Sequence, residues 1–377
     1  MNKRAIAILG AIFILIVGTL GFIIWQRSSK EEPEQVVEET PVIVEEPTEI
    51  EEDPIEETPT NKQATKLTDE SVIGPALFFQ GDGIAYFNRQ GQLFRTSMNI
   101  DTASVLLSDK TEISVPAKGD IAKILWPNVG NSYIAESGSG TSRKWSYYSP
   151  DGGNYIDLPL QVRSLDWNTN GDRIYFVWVG NDGKATLNVS DPDTKNYQLL
   201  TDLYEPDNVI SVSPDGQHIA FYRTQTSDMS RNGITTVTPD GKTFKSLIRD
   251  GYNREVVWSP DSKKFLFTRY NSSSSTYELY YFDVITNESR SLGVTTSATK
   301  AVWTKDSTAI VVGVPTAGTA NQGITTDTVY KIDMSGSRTE FAPGTNVDVQ
   351  DPFLSFDGNV LFFRNNQDGS LYYLFLR

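Results

Sequence analysis

Short apolar runs separated by polar turn residues fill the chain from about residue 63 to its end. Residues 256–269 are an example: the run VVW is followed by the turn signal Ser-Pro-Asp-Ser and then by a second strand-like run, KKFLFTR. Alternating β-branched, aromatic and polar residues are typical of β-strands, and Pro, Asp and Gly favour the tight turns between them. No part of this region keeps the period of an amphipathic helix. The pattern therefore predicts an all-β region made of hairpins.

The hairpin pattern recurs along the chain at a nearly constant interval. We mark each copy by the residue three positions before the turn aspartate or its counterpart, and successive markers lie 41 to 51 residues apart. A unit of this length with four short strands is the signature of a β-propeller blade. The sequence predicts seven blades over residues 63–377, with six or eight as alternatives because several copies are degenerate. The markers are Phe79, Trp126, Trp167, Val212, Trp258, Trp303 and Leu354.

The last copy of the repeat is incomplete. Residues 352–377 contain three strand-like runs, whereas the other copies contain four. Residues 63–72 precede the first inner strand and have no other place in the repeat. We predict that they supply the missing outer strand of the last blade, because pairing the two ends of the repeat region would close the ring.

The first residues of the chain differ from the repeat. Residues 5–25 are an uncharged apolar stretch of 21 residues, long enough to span a bilayer as a helix. The sequence predicts an uncleaved transmembrane helix at 5–25, with residues 1–4 as a cytoplasmic tip. A cleaved signal peptide, whose apolar region is shorter, is the alternative. The predicted location is therefore the cell membrane, with a single span and an extracytoplasmic propeller.

Residues 26–62 are rich in Glu and Pro. Residues 31–60 contain 13 acidic residues and neither Lys nor Arg, and so they account for most of the formal net charge of −15. Repulsion between like charges and the loss of backbone donors at Pro favour a disordered linker. The remaining chain is mildly acidic and has no basic footprint, which excludes a nucleic-acid partner.

The turn-centred repeat resembles the TolB-type WD40-like propeller repeat. The resemblance is carried by Ser-Pro-Asp-Gly at 213–216 and Ser-Pro-Asp-Ser at 259–262, each followed by a strand, and it covers most of residues 75–377. It implies four-stranded blades around a central channel that often serves as a protein-binding platform. The chain departs from TolB in having an apolar segment and an acidic linker where TolB has a small extra domain, so TolB's partners are not implied.

The residue types exclude several kinds of catalysis. The chain has no Cys and one His, His218, which excludes thiolate nucleophiles and His-rich metal sites. It has no Gly-x-Ser-x-Gly element, and we expect no hydrolase domain beside the repeats. Residues 191–196 resemble a calcium loop only faintly, because they lack its Gly and its terminal Glu. We predict no catalytic residues, no cofactor and no metal.

The Trp and Asp positions of the repeat are predicted to be structural. A Trp on an inner strand packs between neighbouring blades, and a turn Asp accepts backbone N–H groups within its turn. These positions are Trp126, Trp167, Asp215, Trp258, Asp261, Trp303, Asp306 and Asp357.

Binding is predicted on the face that carries the long loops. Residues 224–233, 270–276 and 313–327 connect second to third strands, and in propeller topology they emerge beside the connections between blades. Long loops on a rigid scaffold are a common place for binding residues. The candidates to receive a peptide or a glycan are Asp228, Arg231, Asn232, Tyr270, Asn271, Asn321, Gln322 and Asp327.

These observations predict a membrane-anchored extracytoplasmic propeller that binds a protein or a cell-envelope polymer; its oligomeric state stays open. Two alternatives remain: an envelope enzyme, such as a glycan hydrolase or lyase with its active site at the channel mouth, and an architectural subunit of an envelope complex. Two carboxylates roughly 5–10 Å apart in the mouth would favour the enzyme. A mouth without paired acids would favour binding.

Overall fold

A computed structural model describes residues 63–78, 82–116, 118–138, 142–223, 232–249, 251–316 and 323–377. The predicted tip at 1–4, transmembrane helix at 5–25 and acidic linker at 26–62 lie outside these residues. Among the residues that are described, no helix has the length and apolarity needed to cross a bilayer.

The described chain folds into 28 strands, joined by tight turns that favour Gly, Asp and Asn. In chain order they are β1 (Thr65–Ser71), β2 (Ile73–Phe78), β3 (Gly83–Phe87), β4 (Leu93–Ile100), β5 (Val105–Ile113), β6 (Ile121–Leu125), β7 (Tyr133–Ser137), β8 (Lys144–Tyr148), β9 (Tyr155–Asp157), β10 (Val162–Trp167), β11 (Ile174–Val179), β12 (Ala185–Ser190), β13 (Gln198–Leu203), β14 (Asn208–Val212), β15 (Ile219–Arg223), β16 (Ile234–Val237), β17 (Phe244–Ile248), β18 (Tyr252–Trp258), β19 (Lys264–Asn271), β20 (Thr276–Asp283), β21 (Glu288–Thr295), β22 (Ala301–Trp303), β23 (Ala309–Pro315), β24 (Asp327–Asp333), β25 (Arg338–Phe341), β26 (Val349–Leu354), β27 (Val360–Asn365) and β28 (Ser370–Phe375).

The strands form seven antiparallel four-stranded sheets, which are the seven blades. Blades 1 to 6 take consecutive strands, from β2–β5 to β22–β25. Blade 7 has the order β1-β28-β27-β26, so the strand before blade 1 is its outer strand. Thr65 pairs with Tyr373 in that sheet. The prediction that residues 63–72 complete the last blade is confirmed, and seven is the blade count.

Neighbouring blades pack against each other through apolar side chains. Phe265 of blade 5 lies in one buried cluster with Ala220 and Ile234 of blade 4. Phe362 of blade 7 lies in another with Ile84 of blade 1. The series of blades therefore closes on itself, with its core between successive sheets.

Four tryptophans, in blades 2, 3, 5 and 6, each link their blade to the preceding one. Each indole N–H donates a hydrogen bond to a backbone carbonyl on the preceding inner strand, which satisfies a polar atom of a mostly buried ring. The repeated spacing of Trp therefore reflects a repeated contact between blades. The pairs are Trp126 with Gly74 (2.8 Å), Trp167 with Leu125 (3.0 Å), Trp258 with Ser211 (3.2 Å) and Trp303 with Val257 (3.0 Å).

The turn aspartates organise their own turns. Asp306 accepts hydrogen bonds from the Thr304 hydroxyl (2.7 Å) and from the Thr308 backbone N–H (3.1 Å). The Thr304 hydrogen bond is the main reason that the pKa of Asp306 lies below its ordinary value. Asp215, Asp261 and Asp357 make the same pair of contacts in their blades. These four carboxylates stabilise hairpins.

Candidate binding site at the channel mouth

Five inner strands, β2, β6, β10, β18 and β26, show a register shift, and three of these shifts include a residue with positive φ. The strand register shifts around Gly74 in β2, Glu255 in β18 and Asp351 in β26. All three residues have positive φ, at 55°, 63° and 49°. Bulges bend a strand and turn a side chain away from the regular pleat. At these positions the inner strands therefore direct side chains and backbone groups differently from a regular strand.

A cavity of about 630 Å³ lies between the inner strands of blades 7, 1 and 2. Its apolar wall includes Ile124, Trp126 and Phe353. Its polar wall is dominated by basic side chains, which come from the turn after β3, from β6 and from β27. The cavity lies beside the bulges of β2 and β26. The basic residues are Arg89, Lys123 and Arg364.

Two of the three cations have no acidic partner. Arg364 is paired with Asp351, with 2.9 Å between Nε and Oδ2. Within the described part of the chain, the side chains of Arg89 and Lys123 form no hydrogen bond or ion pair, although the Lys123 charge acts on Asp166, and both residues are exposed. An unpaired cation in a concave apolar setting attracts anions more strongly than one on a convex surface, because less water screens it. The cavity is suited to an anionic ligand.

Few carboxylates lie near the cavity, and each of them already has ion-pair or hydrogen-bond partners. Asp351 is the only one among its lining residues. Asp166 lines an adjoining cavity of about 260 Å³ that shares Trp126, and it accepts the backbone N–H groups of Val212 (2.8 Å) and Trp167 (2.9 Å). Burial raises the pKa of Asp166 to about 6, against the opposing effect of those hydrogen bonds and of the Lys123 charge. The two acids line different cavities and have separate partners.

A buried charge network supports the same face at blades 6 and 7. The Lys300 ammonium lies 2.8 Å from Asp327 and 2.6 Å from Asp348, and it donates to the Thr325 hydroxyl at 2.6 Å. Burial works against ionisation of Asp348, yet the Lys300 contact and hydrogen bonds from Thr325 and Asn366 hold its pKa below the ordinary value. The network joins the starts of β22, β24 and β26.

The eight predicted loop residues fall into three groups: four lie outside the described residues, two belong to a strand, and two are buried. Asp228, Arg231, Asn321 and Gln322 lie outside the described residues. Tyr270 and Asn271 belong to β19 and not to a loop; Asn271 donates to Glu278 at 2.8 Å. The loop after them is correspondingly shorter than predicted.

The predicted exposure of Asn232 and Asp327 is wrong, because both are buried at 0% and 1% exposure. Asn232 donates to the backbone carbonyls of Arg223 (3.0 Å) and Asn253 (2.6 Å). Asp327 pairs with Lys300. These two side chains hold the loop ends in place, and they can affect binding only through those loops.

Sequence reasoning missed the basic cavity. A signal existed: Arg223, Arg269 and Arg364 stand at the ends of second strands, opposite the starts of inner strands. Arg223 pairs with Asp207 at 2.8 Å, and Arg269 donates to Asn253 at 2.9 Å. The repeat thus places an arginine at the mouth in three blades.

His218, the only histidine of the chain, lies on the opposite face from the basic cavity. It follows a Ser-Pro-Asp-Gly turn, and its ring stacks on Trp258 with 6.0 Å between centroids and 14° between planes. The His218 ring is therefore occupied in packing against an inner-strand tryptophan.

No protein-family model and no curated protein sequence matches the chain. Solved structures do match its fold. An oligogalacturonate lyase from Vibrio parahaemolyticus is 10% identical, with a TM-score of 0.59 over 83% of this chain and 93% of that one. An oligogalacturonate lyase in complex with manganese is 12% identical, with a TM-score of 0.54 over 84% and 98%. Such low identities show a shared fold only.

The manganese of the second structure has no evident counterpart here. Hard divalent cations favour several carboxylate or carbonyl oxygens around one point. Across the described ranges, no group of three or more His, Cys, Asp or Glu side chains is arranged to hold a metal ion. The basic cavity, with a single carboxylate, would repel a cation. The described residues that line this cavity therefore do not fit a resident metal.

Proposed function

We propose that the chain is a membrane-anchored binding module that holds an acidic cell-envelope polymer at the mouth of its propeller. The proposal rests on one observation: Arg89 and Lys123, which form no ion pair with any described residue, lie beside an apolar wall. A polymer with carboxylates along its length could engage cations from several blades at once. The predicted helix at 5–25 would fix the protein to the membrane, and the acidic linker at 26–62 would hold the propeller away from it.

The linker charge is relevant to ligand choice. Its 13 acidic residues would repel an acidic polymer from the membrane-proximal region, whereas the basic cavity would attract the polymer to the propeller. An acidic glycan suits both features better than a neutral one. This supports the envelope-polymer form of the binding function over a protein partner.

Replacing Arg89 and Lys123 by Gln should weaken binding of an acidic oligosaccharide by about tenfold. Exposed charge pairs contribute up to about 1 kcal/mol each, so two lost pairs correspond to roughly that factor. The measurement is calorimetric titration of residues 61–377 with oligogalacturonate at low salt, with a neutral oligosaccharide of equal length beside it. Lys331→Gln, an exposed lysine of β24, is the matched control. Equal affinity in the double variant and the control would contradict the proposal.

Binding should also weaken as the pH rises through about 6. Below this pH the Asp166 carboxyl is protonated, since its pKa is raised to about 6. Above it, the carboxylate places a negative charge near Lys123 and offsets part of its attraction for the ligand. We expect a severalfold loss of affinity between about pH 5 and pH 7.5. Asp166→Asn should bind with an affinity that changes much less over this range; an equal change in both proteins would argue against the effect.

A lyase acting on acidic glycans is the second candidate. It is favoured by the two matching structures, whose titles describe oligogalacturonate lyases, and by Asp166, a carboxyl whose pKa lies near neutrality. A lyase would leave an unsaturated sugar end, which absorbs ultraviolet light. Sustained formation of that product by the purified propeller, lost in Asp166→Asn, would establish the enzyme. Stable binding without product supports the binding module.

A further inference from the structure

Asp351 is the acidic residue of the basic cavity, and it is held in an unusual backbone conformation. Its φ of 49° lies in the left-handed region, where non-glycine residues are uncommon and cost of order 1 kcal/mol. Its side chain is 52% exposed, and its carboxylate lies against Arg364. An exposed ion pair contributes little stability, so fold stability alone does not account for this residue.

The equivalent bulge in blade 1 shows that this backbone conformation does not require an acidic residue. Gly74 occupies the equivalent bulge of β2, with a φ of 55°, and both residues are followed by proline, Pro75 and Pro352. All four line the same cavity. At Gly74 a side chain would collide with Ile124. At Asp351 the bulge instead delivers a carboxylate into the cavity.

The Arg364 guanidinium is only partly used by the protein. It donates through Nε to Asp351 at 2.9 Å and through NH1 to Asn366 at 3.3 Å. Its side chain is 25% exposed. A guanidinium has five N–H donors and prefers bidentate pairing with a carboxylate. Asp351 thus occupies the edge of Arg364 that a carboxylate of the ligand could take, while Asn366 keeps the group oriented.

We propose that Asp351 competes with a carboxylate of the ligand for Arg364, and that Arg364 is a third ligand-binding cation, which binds the ligand only after Asp351 is displaced. The inference rests on the proposed function of the cavity. A ligand with one carboxylate can pair with Arg89 or Lys123 but gains little by displacing Asp351. A polymer already held by those two cations presents a further carboxylate at high local concentration, which can displace it. Asp351 therefore closes Arg364 to small acids, and a polymer that reaches Arg364 loses the free energy of the Asp351–Arg364 pair.

Asp351→Asn tests the proposal. Asparagine tolerates positive φ, so the bulge should persist, while the competing charge is removed. Because a polymer that engages Arg364 no longer has to displace Asp351, we expect oligogalacturonate to bind about fivefold more tightly and galacturonate monomer to gain no more than that. Glu288→Gln, which breaks the exposed Glu288–Arg290 pair of β21, is the matched control and should change neither affinity. Unchanged or weaker binding of oligogalacturonate in Asp351→Asn would overturn the competitor role.

A second readout separates this inference from the proposed function. Sulfate stabilises a protein in proportion to its binding to free cationic sites. The Asp351→Asn variant should gain a sulfate-dependent rise in unfolding temperature over wild type, and the gain should vanish in Asp351→Asn with Arg364→Gln. A gain without any binding of oligogalacturonate would uphold the masking of Arg364 and end the polymer proposal. No gain would overturn the masking itself.

Discussion

Removal of residues 61–73 is expected to lower the free energy of unfolding of the propeller by at least about 5 kcal/mol, the scale of large core truncations. These residues include β1, the outer strand of blade 7. Without it, β28 loses its pairing partner along its whole outer side. The Leu371 backbone N–H also loses the Thr68 hydroxyl, at 3.0 Å.

The loss extends to both neighbours of blade 7. Val72, 1% exposed, belongs to the cluster between blades 7 and 1. Ala64 belongs to the cluster between blades 6 and 7, and its N–H donates to the Pro343 carbonyl at 2.8 Å. Residues 64–72 therefore hold the ring closed at blade 7, and the deletion, which removes all of them, opens it.

Chemical and thermal unfolding followed by circular dichroism measures the effect. The matched control is a chain that begins at residue 61, which keeps β1 intact. We expect this control to unfold in a single step and the shorter chain to unfold earlier or in two steps. Equal unfolding midpoints would contradict closure of the ring by β1.

Lys300→Met is expected to destabilise the propeller by about 3–5 kcal/mol, because it leaves buried carboxylates without their counter-ion. Lys300, Asp327 and Asp348 are 6%, 1% and 1% exposed. Methionine fills a similar volume, so the loss would come from charge and not from a void. Lys331→Met, on an exposed position of β24, is the matched control and should change stability by less than about 0.5 kcal/mol.

A second variant shows whether the charge is the cause. Adding Asp348→Asn to Lys300→Met removes one of the stranded charges and should recover part of the lost stability. Equilibrium urea unfolding at neutral pH measures all three variants. If the double variant is no more stable than the single one, the network is not held together by this ion pairing.

The fold was accessible from the sequence because it is repetitive. Four blades place Trp258 or one of its counterparts at the same point, and the turn aspartates repeat the same local contacts with residues nearby in the chain. Period and turn chemistry are local signals, and seven copies reinforce one another. The unpaired outer edge of the last copy, with the unassigned strand at 63–72, was enough to predict closure.

The site was less accessible because it depends on distant residues. Lys300 meets Asp348 across 48 positions, and nothing local marks Asp327 as buried. Long polar loops favoured Asn232 and Asp327 as surface residues, although both are interior anchors. The basic cavity brings together Arg89, Lys123 and residues of the last blade, a juxtaposition that only closure of the ring creates.

A crystal structure of residues 61–377 with bound oligogalacturonate would test the central claim most directly. The account predicts sugar carboxylates within hydrogen-bond distance, about 2.7–3.2 Å, of Arg89 and Lys123 in the cavity between blades 7, 1 and 2. Oligosaccharide bound on another surface, with this cavity free of it, would contradict the account.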